Sequence, residues 1–224
     1  MQPLLPPPKS IDELLERAES IAGLSFTELA DMAGVELPSN FKHHKGWTGQ
    51  LIEVLLGSYA GSKPQQDFPD LGVELKTIPI DAYGKPLETT YVCYAPLINV
   101  AGIEWSNSNV KNKLSCVLWM PVEGSRDILP QDRRVAMPVL WQPSETQNAV
   151  LEQDWTELQD MICLGQVEKI NASIGQALQI RPKAADGSSL TEAIGANGEV
   201  IQTRPRGYYL RKEFTHEILK SYFS

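Results

Sequence analysis

Cysteine is scarce in this chain. Cys93, Cys116 and Cys163 are far apart and odd in number, and no Cys-x-x-Cys pair occurs. The spacing therefore indicates neither a zinc site nor a disulfide framework, and buried free thiols are expected. His43 and His44 are adjacent, so they would diverge on any regular element and suit a surface loop better than a chelating pair. No apolar run approaches the length of a membrane span. The proline-rich start, Pro3 to Pro8, lacks the basic and apolar regions of a signal peptide, so a cytoplasmic protein without membrane contact is expected. Beyond those prolines there is no internal repeat or low-complexity stretch. Positive charge is also short: the formal net charge is −8. Taken over the whole chain this disfavours nucleic acid, but local distribution matters more, because a cleft can be basic on an acidic protein.

What is present is an ordinary globular composition. The chain has 224 residues and 42% hydrophobic content, enough for one domain, or one core with two lobes. Ser10-Ile-Asp-Glu13 has the capping-box pattern and opens a helix stopped near Gly23. Ser25-Phe-Thr-Glu28 repeats the device for a short helix ending near Gly34. A further helix runs from Trp47 to about Leu56 and another from about Ala149 to Leu164. Strands are expected over Glu88 to Ala95, Val117 to Met120, Val135 to Trp141 and Ala177 to Ile180, with a hairpin connection at Gly84-Lys-Pro86. Pro121 to Arg134 reads as an exposed loop and Leu190 to Ile194 as a short helix stopped by Gly195. Val200 to Arg211 reads as a hairpin around Pro205-Arg206-Gly207, and Thr215 to Phe223 as a closing amphipathic helix.

The stretch from Ser62 to Pro79 carries the chemistry. Pro69-Asp70-Leu71-Gly72 is favourable turn sequence, with Asp able to bond its own backbone and Gly free to take positive φ. After it, Val73, Leu75 and Thr77 alternate with Glu74 and Lys76, so a carboxylate and an ammonium project from the same strand face. The turn folds Asp67 back towards Glu74. Asp70 competes for that place, but an extended run from 70 to 74 would hold the two carboxylates roughly 13 Å apart, too far for one ion. Two carboxylates and a lysine then converge, as a divalent cation and an activated water would require. Glu-x-Lys by itself is common, and an exposed ion pair would account for it. Upstream, Glu53 is the only charge in an apolar helical run, which calls either for a basic partner or for a role beside a cation. Lys45-Gly46 stands at a helix start, where backbone amides attract anions and glycine permits close approach.

The order of several stretches decides between these readings. Lys45-Gly46-Trp47, Glu53, Gly61-Ser62-Lys63-Pro64 and Asp67 through Pro79 closely resemble the MutH family of mismatch-repair endonucleases, within the PD-(D/E)xK nuclease superfamily. The likeness continues through Pro86 to Thr90, Leu118 to Gly124, Ile180 to Ala185, Leu190 to Gly195 and Pro205 to Tyr209, nearly the whole chain. The resemblance implies a mixed α/β, restriction-endonuclease-like core, with a mixed sheet flanked by helices and two lobes around a DNA cleft. Residues 1–224 would form a single nuclease domain, catalytic before 80 and DNA-reading after 180. The family's Asp-x6-Glu-x-Lys spacing selects Asp67, Glu74 and Lys76, and its active-site glutamate matches Glu53.

That resemblance implies a Mg²⁺-dependent endonuclease that nicks the unmethylated strand of double-stranded DNA at hemimethylated GATC. MutL would activate it after MutS finds a mismatch. Asp67, Glu74 and the carbonyl of Leu75 would hold one or two Mg²⁺ ions, with Mn²⁺ a substitute, and Lys76 would orient or deprotonate the water. Arg181 has the planar fork that matches guanine O6 and N7, and the resemblance moves it, with Pro182, to the DNA-reading loop. Lys45, Gly46 and Lys113 would contact the phosphate backbone. Tyr209 matches the tyrosine associated with adenine methylation. The chain has room for one active site, so a monomer that nicks is expected. The rivals are a GATC restriction enzyme cutting both strands and a catalytically silent DNA-binding module.

Overall fold

Capping chemistry starts three of the helices. The computed structural model describes residues 4–41, 46–58, 65–183 and 189–223. Among these, the helices are α1 (Ile11–Ser20), α2 (Phe26–Ala33), α3 (Trp47–Leu56), α4 (Asn109–Leu114), α5 (Glu145–Cys163) and α6 (Lys212–Phe223). The strands are β1 (Glu74–Ile80), β2 (Thr90–Ala95), β3 (Val117–Glu123) and β4 (Val139–Trp141), then β5 (Leu178–Pro182), β6 (Thr191–Ile194), β7 (Val200–Thr203) and β8 (Arg206–Leu210). The chain is thus mixed α/β, as expected. Ser10 accepts the Glu13 N–H at the start of α1, and Ser25 with Glu28 forms the full reciprocal box on α2. Ser144 and Gln147 form another, so α5 begins at Glu145 and not near Ala149.

Contacts divide the chain into two compact units. The first comprises Met1–Glu88, Ser115–Gln142 and His216–Ser224. Its sheet has the order β1-β3-β4, with β1 parallel and β4 antiparallel to β3. Leu14, Leu29, Leu51, Ile52, Leu56, Leu118 and Met120 are fully buried in one apolar cluster between the helices and this sheet. Burying each such side chain contributes roughly 1.5–3 kcal/mol, which is what holds α3 against β1.

The second unit comprises Thr89–Leu114 and Pro143–Thr215. Its antiparallel sheet has the order β2-β8-β5, and β6 with β7 forms a separate two-stranded hairpin. Helix α5 lies against β5. Tyr208 donates its hydroxyl proton to Gln159 Oε1 at 3.2 Å, and Gln159 donates to the Val100 carbonyl.

Five expectations need correction. Leu190 to Ile194 is not a helix: Thr191–Ile194 is β6, paired antiparallel with β7, because four residues with β-branched ends gain more from a cross-strand partner than from one helical turn. Val200 to Arg211 is not a hairpin, since β7 pairs with β6 while β8 lies between β2 and β5. Gly84 does turn, with φ 76°, and Ile80 bridges Pro86 beside it, but Pro86 lies before β2, and β1 and β2 belong to different sheets. Finally, β3 continues to Glu123 with Val122 buried, so the loop expected from Pro121 starts later, and only Val139–Trp141 of the next run is strand. No described helix is long and apolar enough to cross a membrane.

Candidate active site

The turn at Pro69 to Gly72 forms. Phe68 and Val73 exchange backbone hydrogen bonds of 2.9 and 3.2 Å, while the Gly72 N–H reaches the Pro69 carbonyl with Gly72 at φ 67°. The residues flanking that bridge are Asp67 and Glu74, so the two carboxylates face each other across it. Asp70 is exposed on the turn, away from this convergence. The Asp67 Oδ2 accepts the Leu75 N–H at 2.8 Å. Ser58, just past α3, donates its hydroxyl to the Asp67 carbonyl at 2.9 Å and its N–H to the Glu53 carbonyl at 2.9 Å. One serine thus ties the end of the Glu53 helix to the backbone of Asp67. Sequence reading missed Ser58; a serine directly after a helix-ending glycine was the available signal.

Strand β1 sits at the edge of its sheet. Glu74 is only 2% exposed and pairs with Lys76 at 2.6 Å. The Glu74 N–H bonds to Cys116 towards β3, so Leu75 directs its backbone the other way, towards Asp67. In a strand the N–H and C=O of one residue share a side, which places the Leu75 carbonyl on the Asp67 edge. Burial pushes the Asp67 carboxyl up to about 7, and the Glu74 charge adds to it. The Leu75 N–H and Lys76 oppose that rise, while Glu53 contributes to it. Glu53, half-buried on α3, therefore acts on the same site.

Asp67, Glu74 and the Leu75 carbonyl are hard oxygen donors on one edge, and their mutual repulsion is what a divalent cation would relieve. Among the described residues no group of three His, Cys, Asp or Glu side chains forms a ready cage.

The other expected residues lie on the second unit, except at α3. Lys45 lies outside the described residues. Gly46 is the N-cap of α3 at φ −89°, and an added Cβ would meet only Gln50 Nε2, at 4.0 Å. Lys113, expected as a phosphate contact, is on α4 and 8% exposed, so little of it is presented to solvent. Arg181 and Pro182 are exposed at the end of β5. Arg181 donates to the Thr89 hydroxyl at 2.8 Å, and its guanidinium lies 5.7 Å from the centroid of the Tyr209 ring. Tyr209 faces outward on β8, whereas Tyr208 is 2% exposed, as strand alternation requires.

Tyr209 is paired in register with Tyr91, their rings 5.4 Å apart and edge-to-face. The Lys183 ammonium stands 3.0 Å over the Tyr91 ring. Thr89, Tyr91, Arg181, Lys183 and Tyr209 thus make one cationic–aromatic sheet face, the combination that grips nucleic acid. Tyr91 was not picked out from sequence, and Lys183 only as part of the stretch Ile180 to Ala185. Gly207 explains part of the arrangement: it is strand, not turn, and an added Cβ would lie 2.7 Å from the Tyr91 ring. Glycine there lets an aromatic lie flat against the backbone.

Comparison with known proteins agrees in one direction. The family described as MutH, DNA mismatch repair enzyme, matches residues 56–154. The DNA mismatch repair protein MutH of Escherichia coli strain UMN026 is 55% identical over 222 residues, covering 99% of this chain and 97% of the relative. The protein of the same description from strain SE11 has the same identity and coverage: 55% over 222 residues, 99% and 97%.

Proposed function

The chain belongs to the MutH family of DNA mismatch repair enzymes, and from that premise we propose that it is a Mg²⁺-dependent DNA endonuclease acting in mismatch repair. It nicks the unmethylated strand at hemimethylated GATC, as a cytoplasmic monomer activated by MutL downstream of MutS. The observation that carries the reading is the meeting of Asp67, Glu74 and Lys76 at one strand edge.

Asp67, Glu74 and the Leu75 carbonyl would hold the metal, with Mn²⁺ as a substitute for Mg²⁺. The bound cation supplies charge neutralisation at phosphorus and lowers the pKa of water. Lys76, hydrogen-bonded to Glu74, orients the attacking water and offsets negative charge developing at the phosphoryl oxygens. Glu53 supports the site through its charge near Asp67. Ser58 and the Leu75 N–H hold Asp67 in place from its backbone and its carboxylate. Recognition is assigned to the second unit. Arg181, beside Pro182, reads guanine, and Tyr209 packs at the adenine edge. Lys45, Gly46 and Lys113 contact phosphate.

The test is cleavage with Mg²⁺ of three GATC duplexes: unmethylated, hemimethylated and fully methylated. The expected product is a nick in the unmethylated strand of the hemimethylated duplex, with the fully methylated one resistant. Concerted double-strand cleavage would replace this with a restriction-type reading. Binding without any cleavage would remove the nuclease assignment.

A further inference from the structure

Asp154 is a buried carboxylate that the proposed chemistry does not use. It lies on α5, 3% exposed, and grips the backbone leading into β5. It accepts the Gln176 N–H at 2.9 Å on each oxygen, the Ala177 N–H at 2.6 Å and the Leu178 N–H at 2.8 Å. The chain wraps around it at Gly175, whose φ is 85° and where a Cβ would stand 1.9 Å from the Leu178 carbonyl oxygen. Arg211 holds the same segment by its carbonyls. Its guanidinium donates to Ala172 and Ile174, and its own N–H donates to Ala177 at 2.8 Å.

The place of this clamp in the sheet gives it a consequence. Leu178 opens β5 and pairs with Leu210, the last residue of β8. Asp154 therefore grips one strand, and Arg211 follows directly on the other, at the end where their pairing begins. Side chains alternate, so a slip of one residue would turn Arg181 to the opposite face. In the register observed, Arg181 stands opposite Gly207 with its guanidinium by the Tyr209 ring. Simple attachment of α5 needs no charge, because Leu151, Trp155 and Leu158 of the same helix are already buried. A buried carboxylate is costly to desolvate, and what it returns is geometry, not stability.

We propose that Asp154, with Arg211, is a positioning residue for DNA discrimination. The clamp sets β5 against β8 so that Arg181 and Tyr209 are presented together. This rests on the proposed base reading by that pair.

The experiment compares the full chain with Asp154→Asn, Arg211→Gln and Arg181→Ala. Affinity is measured in Ca²⁺ for a GATC duplex and for a scrambled duplex of equal length, well below each variant's unfolding midpoint. Sequence-independent affinity comes from phosphate contacts, so Asp154→Asn should lower the specific-to-scrambled ratio about tenfold while scrambled binding stays within about twofold. Arg211→Gln should lower the ratio about threefold, whatever it does to overall affinity. A wild-type ratio for folded Asp154→Asn overturns the inference; if that variant does not fold, a wild-type ratio for Arg211→Gln does so. The Arg181→Ala arm separates the two levels. If its ratio is unchanged, the base-reading assignment fails and the inference falls with it; if its ratio collapses while the clamp variants keep theirs, only the inference fails.

Discussion

Asp67 accepts the N–H of Leu75 at 2.8 Å, and Leu75 is the residue between Glu74 and Lys76. The bond locks a carboxylate from the turn against the strand that carries the other two charges. It also opposes the burial and the Glu74 charge that push the Asp67 carboxyl up to about 7.

Stability should therefore depend on pH through Asp67. The carboxyl ordinarily titrates near 3.8 and does so near 7 in the folded, metal-free protein. Between those values the native state holds a proton that the unfolded chain has lost. The contribution is fully present below about pH 4 and is lost as pH rises through about 7. Asp67→Asn should escape that loss and exceed wild type by on the order of 2 kcal/mol at pH 8. Urea midpoints in EDTA across pH 4 to about 8 measure the gap, and a gap that does not widen with pH would refute it.

Catalysis and binding should separate. Asp67→Ala and Glu74→Ala should abolish nicking in Mg²⁺ yet keep specific DNA binding detectable in Ca²⁺. Lys76→Ala should be inactive while still binding metal. Near wild-type nicking by either carboxylate variant would show the site to be misassigned.

Phosphate and base contacts should respond differently to salt and sequence. Lys45→Ala should weaken binding to every duplex and shrink the salt slope by about one unit. Arg181→Ala should cost about 1–3 kcal/mol on GATC and relax preference at its G·C pairs. Titrations on specific and random duplexes at several salt concentrations distinguish the two; equal losses on both duplexes would remove Arg181 from base reading.

Methylation sensing should rest on the Tyr209 ring. The N6-methyl of adenine adds bulk in the major groove, where a rigid aromatic would clash with it. Tyr209→Ser should lower cleavage of hemimethylated GATC modestly and that of fully methylated GATC far less. The ratio of the two rates is the readout, and a wild-type ratio would place the sensor elsewhere.

Gly207→Ala should disturb the same face from beneath. The new methyl would meet the Tyr91 ring at 2.7 Å, forcing it off its seat and away from the Lys183 ammonium. Overpacking of this kind costs about 1–3 kcal/mol, so the denaturant midpoint should fall along with discrimination between specific and random DNA. A variant as stable as wild type would mean that the ring has room to move.

The sequence by itself determined what depends on near neighbours. Ser10 and Ser25 cap their helices because a hydroxyl reaches an N–H three residues on. The turn at Pro69 to Gly72, followed by alternation, was enough to bring Asp67 to Glu74 and Glu74 to Lys76, all within ten positions. Tertiary structure decided what depends on distant partners. β8 has sequence that would suit a hairpin with β7, yet it lies between β2 and β5, about 115 and 30 residues away. That choice puts Tyr91 against Tyr209 and Arg181 over its ring, a meeting that no local spacing encodes. Burial was equally out of reach: Glu74 and Lys113 read as surface charges in a row of letters. Only the packed chain excludes water from them, and with it sets the strength of every charge at the site.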